Sequence, residues 1–182
     1  MTGNKMTAQA VGAYGEKVVE AALLRLGWIP SNVNASVKSA ARFDIVAQGP
    51  DGQLVPIRVK TCGIGQEAFQ YGFKPGPVPM NDLRPVDFTV LVAMGKTAAA
   101  DRFFILSTRE VRQALEEGRR FFYKAPRRDG APKVETGQIT LWLNPLRSGK
   151  DDRQHDFARR WEHYLDGWGL LTEISNRGIA VN

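Results

Sequence analysis

Cysteine and histidine are nearly missing from this sequence, and each scarcity rules out chemistry. Cys62 is the one cysteine in 182 residues, which excludes an intramolecular disulfide and a cysteine-rich zinc site and fits a reducing compartment. Neither histidine, His155 or His163, is placed by a motif to activate that thiol or to bind a metal. Cys62 therefore reads as a small buried thiol and the histidines as surface residues. No apolar run approaches the roughly twenty residues of a membrane span, and the first seven residues are too polar for a signal peptide. The expectation is a cytoplasmic protein with no membrane partner. Gly12-x-x-Gly15 and Gly63-x-Gly65 lack the rest of a nucleotide-binding fingerprint and imply no such cofactor. Internal repeats are missing too, and no linker divides the chain. One domain over residues 1–182 is expected, with 1–8 a disordered start.

What the chain has is an excess of basic residues. A net charge of +6 and a pI near 9.7 favour an anionic partner, nucleic acid first. The densest stretch runs Arg119-Arg120-Phe-Phe-Tyr-Lys124-Ala-Pro-Arg127-Arg128 and interleaves bases with aromatics. Arg119, Arg120, Lys124, Arg127 and Arg128 are the candidate nucleic-acid-binding residues, a solvated strand and loop being the plainer reading. Phe69, Tyr71 and Phe73 alternate just before Lys74. They form either an aromatic surface that meets bases or a set of rings folded back over a sheet edge.

Apolar positions Val11, Tyr14, Val18, Ala22 and Leu26 recur at intervals of three and four and predict an amphipathic helix from Gln9 to Leu26, closed by Gly27. Glu16 and Glu20 lie one turn apart on a face beside that stripe. A first strand is expected within Trp28–Val37. Residues 63–85 hold Gly-Ile-Gly, Lys-Pro-Gly-Pro-Val-Pro and Leu-Arg-Pro and read as a long loop. Val86–Met94 is a continuous apolar run that predicts a buried strand, and Arg102–Leu106 predicts the next. Ser107-Thr-Arg-Glu110 fits a capping box opening a short helix that ends near Gly118. Gln138–Leu143 alternates Ile139, Leu141 and Leu143 as an edge strand. Asp151–Trp168 predicts a final helix with Phe157, Trp161, Leu165 and Trp168 in one stripe. Strands alternating with helices in this way point to an α/β protein, a central mixed sheet flanked by helices.

Ala41–Thr61 is the stretch that carries chemistry. Both arms are rich in β-branched and aromatic residues, and Gly49, Pro50, Asp51 and Gly52 break them, which predicts a β-hairpin. A three-residue loop of Pro50, Asp51 and Gly52 would set Asp44 opposite Arg58, whereas a two-residue loop would turn Asp44 to the other face. In the three-residue register Asp44, Arg58 and Lys60 share one face while Ile45, Ile57 and Val59 enter the core.

An acid on one strand, with a lysine ending the next, resembles the core of the PD-(D/E)XK nuclease superfamily. Gly12-Ala-Tyr-Gly-Glu16-Lys-Val-Val-Glu20, running on to Gly27-Trp28, is similar to the opening helix of that fold in Holliday-junction resolvases of archaeal type. The resemblance implies a restriction-endonuclease-like core and a Mg²⁺- or Mn²⁺-dependent endonuclease that hydrolyses DNA, commonly as a homodimer. Carried over position by position, the helix glutamate falls on Glu16, the first acid on Asp44, the second acid on Arg58 and the lysine on Lys60. Asp44, the Val59 carbonyl and Glu16 would then hold the metal, and Lys60 would orient the attacking water or stabilise developing charge. Phe43 stands where the family often has proline, and Arg58 where it has Glu, Asp or sometimes Gln. A guanidinium coordinates no metal and repels Mg²⁺, which leaves two readings. In one, a further carboxylate, Glu20 or Glu67, completes the metal site and Arg58 binds a phosphate. In the other the fold only binds, holding nucleic acid or a protein partner of a mobile-element or defence system.

Overall fold

Leu54–Cys62 forms the strand β3, and both faces of the protein are built outward from it. Val55, Ile57 and Val59 are buried on one side while Pro56, Arg58 and Lys60 are half-buried on the other, the period of two that a strand imposes. The computed structural model describes residues 6–33, 43–66, 68–72, 87–124, 126–134, 137–143 and 161–173. In chain order these form α1 (Ala8–Arg25), β1 (Ile29–Asn32), β2 (Ile45–Gln48), β3, β4 (Ala68–Gly72), β5 (Phe88–Ala93), β6 (Arg102–Ser107), α2 (Thr108–Lys124) and β7 (Gln138–Trp142). The central sheet has the order β1-β2-β3-β5-β6, with β3 and β5 parallel and the other neighbours antiparallel. A parallel pair needs a crossover, and the one joining β3 to β5 contains β4, which pairs with β7 as a separate two-stranded sheet.

Two apolar cores lie on opposite faces of the central sheet. On one, Val19 and Leu23 of α1 meet Ile45, Ile57, Val59, Val90 and Val92. On the other, Val111, Ala114 and Leu115 of α2 meet Leu91, Ala93, Cys62 and the inward rings of the small sheet. All six residues of β5 are buried, as its unbroken apolar run requires of a strand covered on both sides.

Helix α1 begins at Ala8, where the Thr7 hydroxyl accepts the Ala10 N–H at 3.2 Å, and is closed at Gly27 with φ +81°. Its buried line is Gly15, Val19 and Leu23 rather than the predicted stripe, and Leu26 is exposed. The cause is Thr61: a Cβ on Gly15 would stand 1.7 Å from its Oγ1, so the helix rests on β3 at its smallest residue.

Three other expectations are corrected. The loop expected over residues 63–85 carries β4, and of the two readings of the aromatic run Phe69 and Tyr71 follow the one in which the rings fold back inward rather than meet bases. Helix α2 runs past Gly118 to Lys124. One-turn pairs from Arg112 to Glu116 at 3.1 Å and from Gln113 to Glu117 at 2.9 Å, with strong helix formers on either side, outweigh the roughly 1 kcal/mol that an internal glycine costs. Its capping box forms as expected, Ser107 N–H to Glu110 Oε2 at 2.9 Å and Glu110 N–H to Ser107 Oγ at 3.2 Å. Finally, the described part of the helix expected over Asp151–Trp168 does not run on to Trp168, and residues 151–160 lie outside the described residues. After Trp161 and Glu162 the chain turns, Asp166 adopts φ 51°, and Tyr164 and Asp166 bond to the β6 backbone at Ile105 and Phe103, at 3.0 and 2.8 Å. That edge of β6 is thereby capped. Trp161 is buried as expected, while Leu165 is exposed. Glu67, Phe73, Lys74, His155 and Phe157 lie outside the described residues.

Candidate functional site

The hairpin closes through the three-residue loop: Gly49 N–H donates to the Gln53 carbonyl at 2.8 Å and Gly52 N–H to the Gly49 carbonyl at 2.9 Å, with Gly52 left-handed at φ +81°. Ile45 therefore pairs with Ile57. One step beyond, Asp44 faces Arg58, and the Asp44 N–H donates to the Ile57 carbonyl at 2.9 Å. Strand β2 stops here while β3 runs on to Cys62. Val59 thus turns its N–H toward the side that β2 has left, and Asp44 Oδ2 accepts it at 2.7 Å. N–H and C=O of one strand residue point the same way, so the Val59 carbonyl opens beside the Asp44 carboxylate.

Lys60 projects to the same face as Arg58. Its ammonium lies 5.1 Å from the centroid of the Tyr71 ring. Burial, and then the nearby Arg58 charge, hold Lys60 below the usual lysine range against the opposing pull of Asp44. Tyr71 itself is buried, and its hydroxyl has no hydrogen-bond partner among the described residues. Leaving such a group unsatisfied costs about 1–3 kcal/mol. Sequence reasoning placed Tyr71 in the aromatic run but not in this site. The signal that could have found it is the alternation of Phe69 and Tyr71, which fits one inward face of a strand.

Glu16 and Glu20 are brought together by a residue that carried no motif. Asn32 Nδ2 donates to Glu16 Oε2 at 2.9 Å and to Glu20 Oε1 at 2.7 Å, and Lys17 pairs with Glu20 at 2.9 Å. The next residue, Val33, donates its N–H to the Asp44 carbonyl at 2.9 Å. The glutamate pair and Asp44 therefore sit at the same end of the hairpin, though approached from α1 and from β2 respectively. Among the described residues no three His, Cys, Asp or Glu side chains gather as a metal site. Mg²⁺ keeps several waters and is often held by one or two carboxylates, so Asp44, the Val59 carbonyl and Glu16 are donors of the right chemistry. Arg58 is the member of the group that a metal does not want.

Arg119, Arg120 and Lys124 occupy the second half of α2, and Arg127 and Arg128 the turn that follows. Arg119 is half-buried and the other four are exposed, Arg127 standing 3.6 Å from Asp129. The core beneath α2 also contains Tyr71 and Cys62. The basic helix and Lys60 are thus on one side of the central sheet.

No family model and no curated protein matches the chain. A solved structure does: a bacterial homing endonuclease, I-Ssp6803I, superposes with a TM-score of 0.51 over 96% of this chain and 97% of that one, at 15% sequence identity. The two proteins share a fold, which in this chain is a mixed five-stranded central sheet flanked by helices.

Proposed function

We propose that the chain is a PD-(D/E)XK-type, metal-dependent endonuclease that hydrolyses phosphodiester bonds in DNA. The observation that carries this reading is Asp44 locked against the Val59 N–H with Lys60 on the adjoining face of β3, on a fold shared with a nuclease. Mg²⁺ or Mn²⁺ held by Asp44, the Val59 carbonyl and Glu16 would supply charge to the phosphate and acidify a bound water. The protein's own groups do the rest. The Val59 N–H fixes the Asp44 carboxylate in one orientation. Lys60, with its proton loosened by burial, is suited to share the proton of the attacking water. Arg58 presents a planar fork to a phosphate oxygen pair. A homodimer would set two such sites on the two strands of a duplex.

Arg58 directly across from Asp44 favours a second reading, in which the guanidinium replaces the metal's charge and the protein binds nucleic acid without cutting. Mn²⁺ titration by calorimetry into wild type and Asp44→Ala, with plasmid nicking on the same samples, separates the two. The nuclease reading expects Mn²⁺ binding and nicking in wild type, both lost in Asp44→Ala, and nicking lost in Lys60→Ala. Plasmid binding by wild type without Mn²⁺ uptake or nicking establishes the binding module instead.

A further inference from the structure

We propose that Tyr71 is a substrate-binding residue of this site, its hydroxyl donating to a non-bridging oxygen of the bound phosphodiester, an inference that rests on the nuclease reading. Tyr71 is 6% exposed, yet its hydroxyl oxygen finds no partner among the described residues. Buried phenols normally find one. Tyr14 donates to Asp101 and Tyr164 to Glu110 in this same protein. Among the described residues the Tyr71 hydroxyl is therefore a donor without an acceptor, and the charges around it point to the kind of acceptor it would take. The Lys60 ammonium stands over its ring at 5.1 Å, and the half-buried Arg58 shares its face of β3 with Lys60. Lys60 and Arg58 stand against the single carboxylate of Asp44, which leaves a surplus of positive charge beside the O–H donor, an environment suited to an anion with several acceptor oxygens. Burial pushes the phenol's pKa up, outweighing the charge of Arg58, so the hydroxyl keeps its proton and remains a donor. The ring also restricts where the Lys60 ammonium can sit, through its electron-rich face.

Tyr71→Phe keeps the ring and removes only the hydroxyl. Three quantities are measured on it and on wild type: the melting temperature, the affinity for a short DNA duplex by fluorescence anisotropy, and plasmid nicking with Mn²⁺. The expected result is a melting temperature equal to or above that of wild type, because an unsatisfied buried group has gone. Duplex affinity and nicking should both fall by about tenfold, the loss of one good hydrogen bond to a charged acceptor. Wild-type affinity and nicking in Tyr71→Phe overturn the inference, and so does a lowered melting temperature, which would mean that the hydroxyl serves the fold. Wild type that binds the duplex but never nicks it overturns the nuclease reading. Affinity then decides alone, a tenfold loss in Tyr71→Phe keeping the phosphate contact and no loss ending it.

Discussion

Lys60 shows how one residue's environment becomes a measurable property. In the unfolded chain it titrates near 10.5, and in the folded protein lower. Between those two values the unfolded chain holds more protons, so stability rises with pH across that window. At neutral pH the folded protein therefore carries the cost of a desolvated ammonium, and that cost fades as pH climbs through the folded value toward 10.5. Lys60→Met is accordingly expected to be more stable than wild type at about pH 7, the difference shrinking as the pH approaches about 10. Paired urea melts at several pH values check this. A difference that stays flat across the range would mean that the ammonium is solvated, and would remove the physical basis for its part in proton transfer.

At the scale of elements, the contact between α1 and β3 fixes where Glu16 stands. A Cβ added to Gly15 would meet Thr61 Oγ1 at 1.7 Å and Thr61 Cβ at 2.9 Å. Rotating the threonine relieves the first clash but not the second, so the helix must retreat. Gly15→Ala is expected to lower stability by about 1–3 kcal/mol through overpacking, although alanine is the better helix former by about 1 kcal/mol. Denaturant unfolding measures it, and Thr61→Ala in the same background should return part of the loss. Stability unchanged by Gly15→Ala would show that the helix can slide, and Glu16 with it. The same contact explains what the sequence concealed. The hairpin was legible because Pro50, Asp51 and Gly52 dictate their own turn, and the capping box at Ser107 because both partners lie within one helical turn. The buried line of α1 was not, since it is chosen by Thr61, far along the chain. Strand β4 was hidden for a like reason. Phe69 pairs with Leu141, and the Gly- and Pro-rich residues that follow β4 obscured a strand whose partner is so distant. With β4 hidden, Tyr71 stayed out of the site, whereas Asp44, Arg58 and Lys60 could be placed on one face from local turn chemistry.

Across the whole molecule, the net charge of +6 is an electrostatic resource whose use depends on where it is exposed. Arg120, Lys124 and Arg128 are exposed on and just after α2, on the side of the sheet that also carries Lys60. If this surface follows a DNA backbone, each residue that neutralises a phosphate releases condensed counterion. The logarithm of the binding constant then falls against the logarithm of salt concentration with a slope of about 0.9 per contact. Replacing Arg120, Lys124 and Arg128 together by alanine is expected to weaken duplex binding at low salt and to flatten that slope by about 2 to 3, as anisotropy titrations over a salt series would record. Asp44→Ala, which removes no cation, should keep the slope of wild type. A triple variant with an unaltered slope would mean that the backbone runs elsewhere, and a loss of affinity uniform across all salt concentrations would mean that the substitutions had disturbed α2 rather than a phosphate-contacting surface.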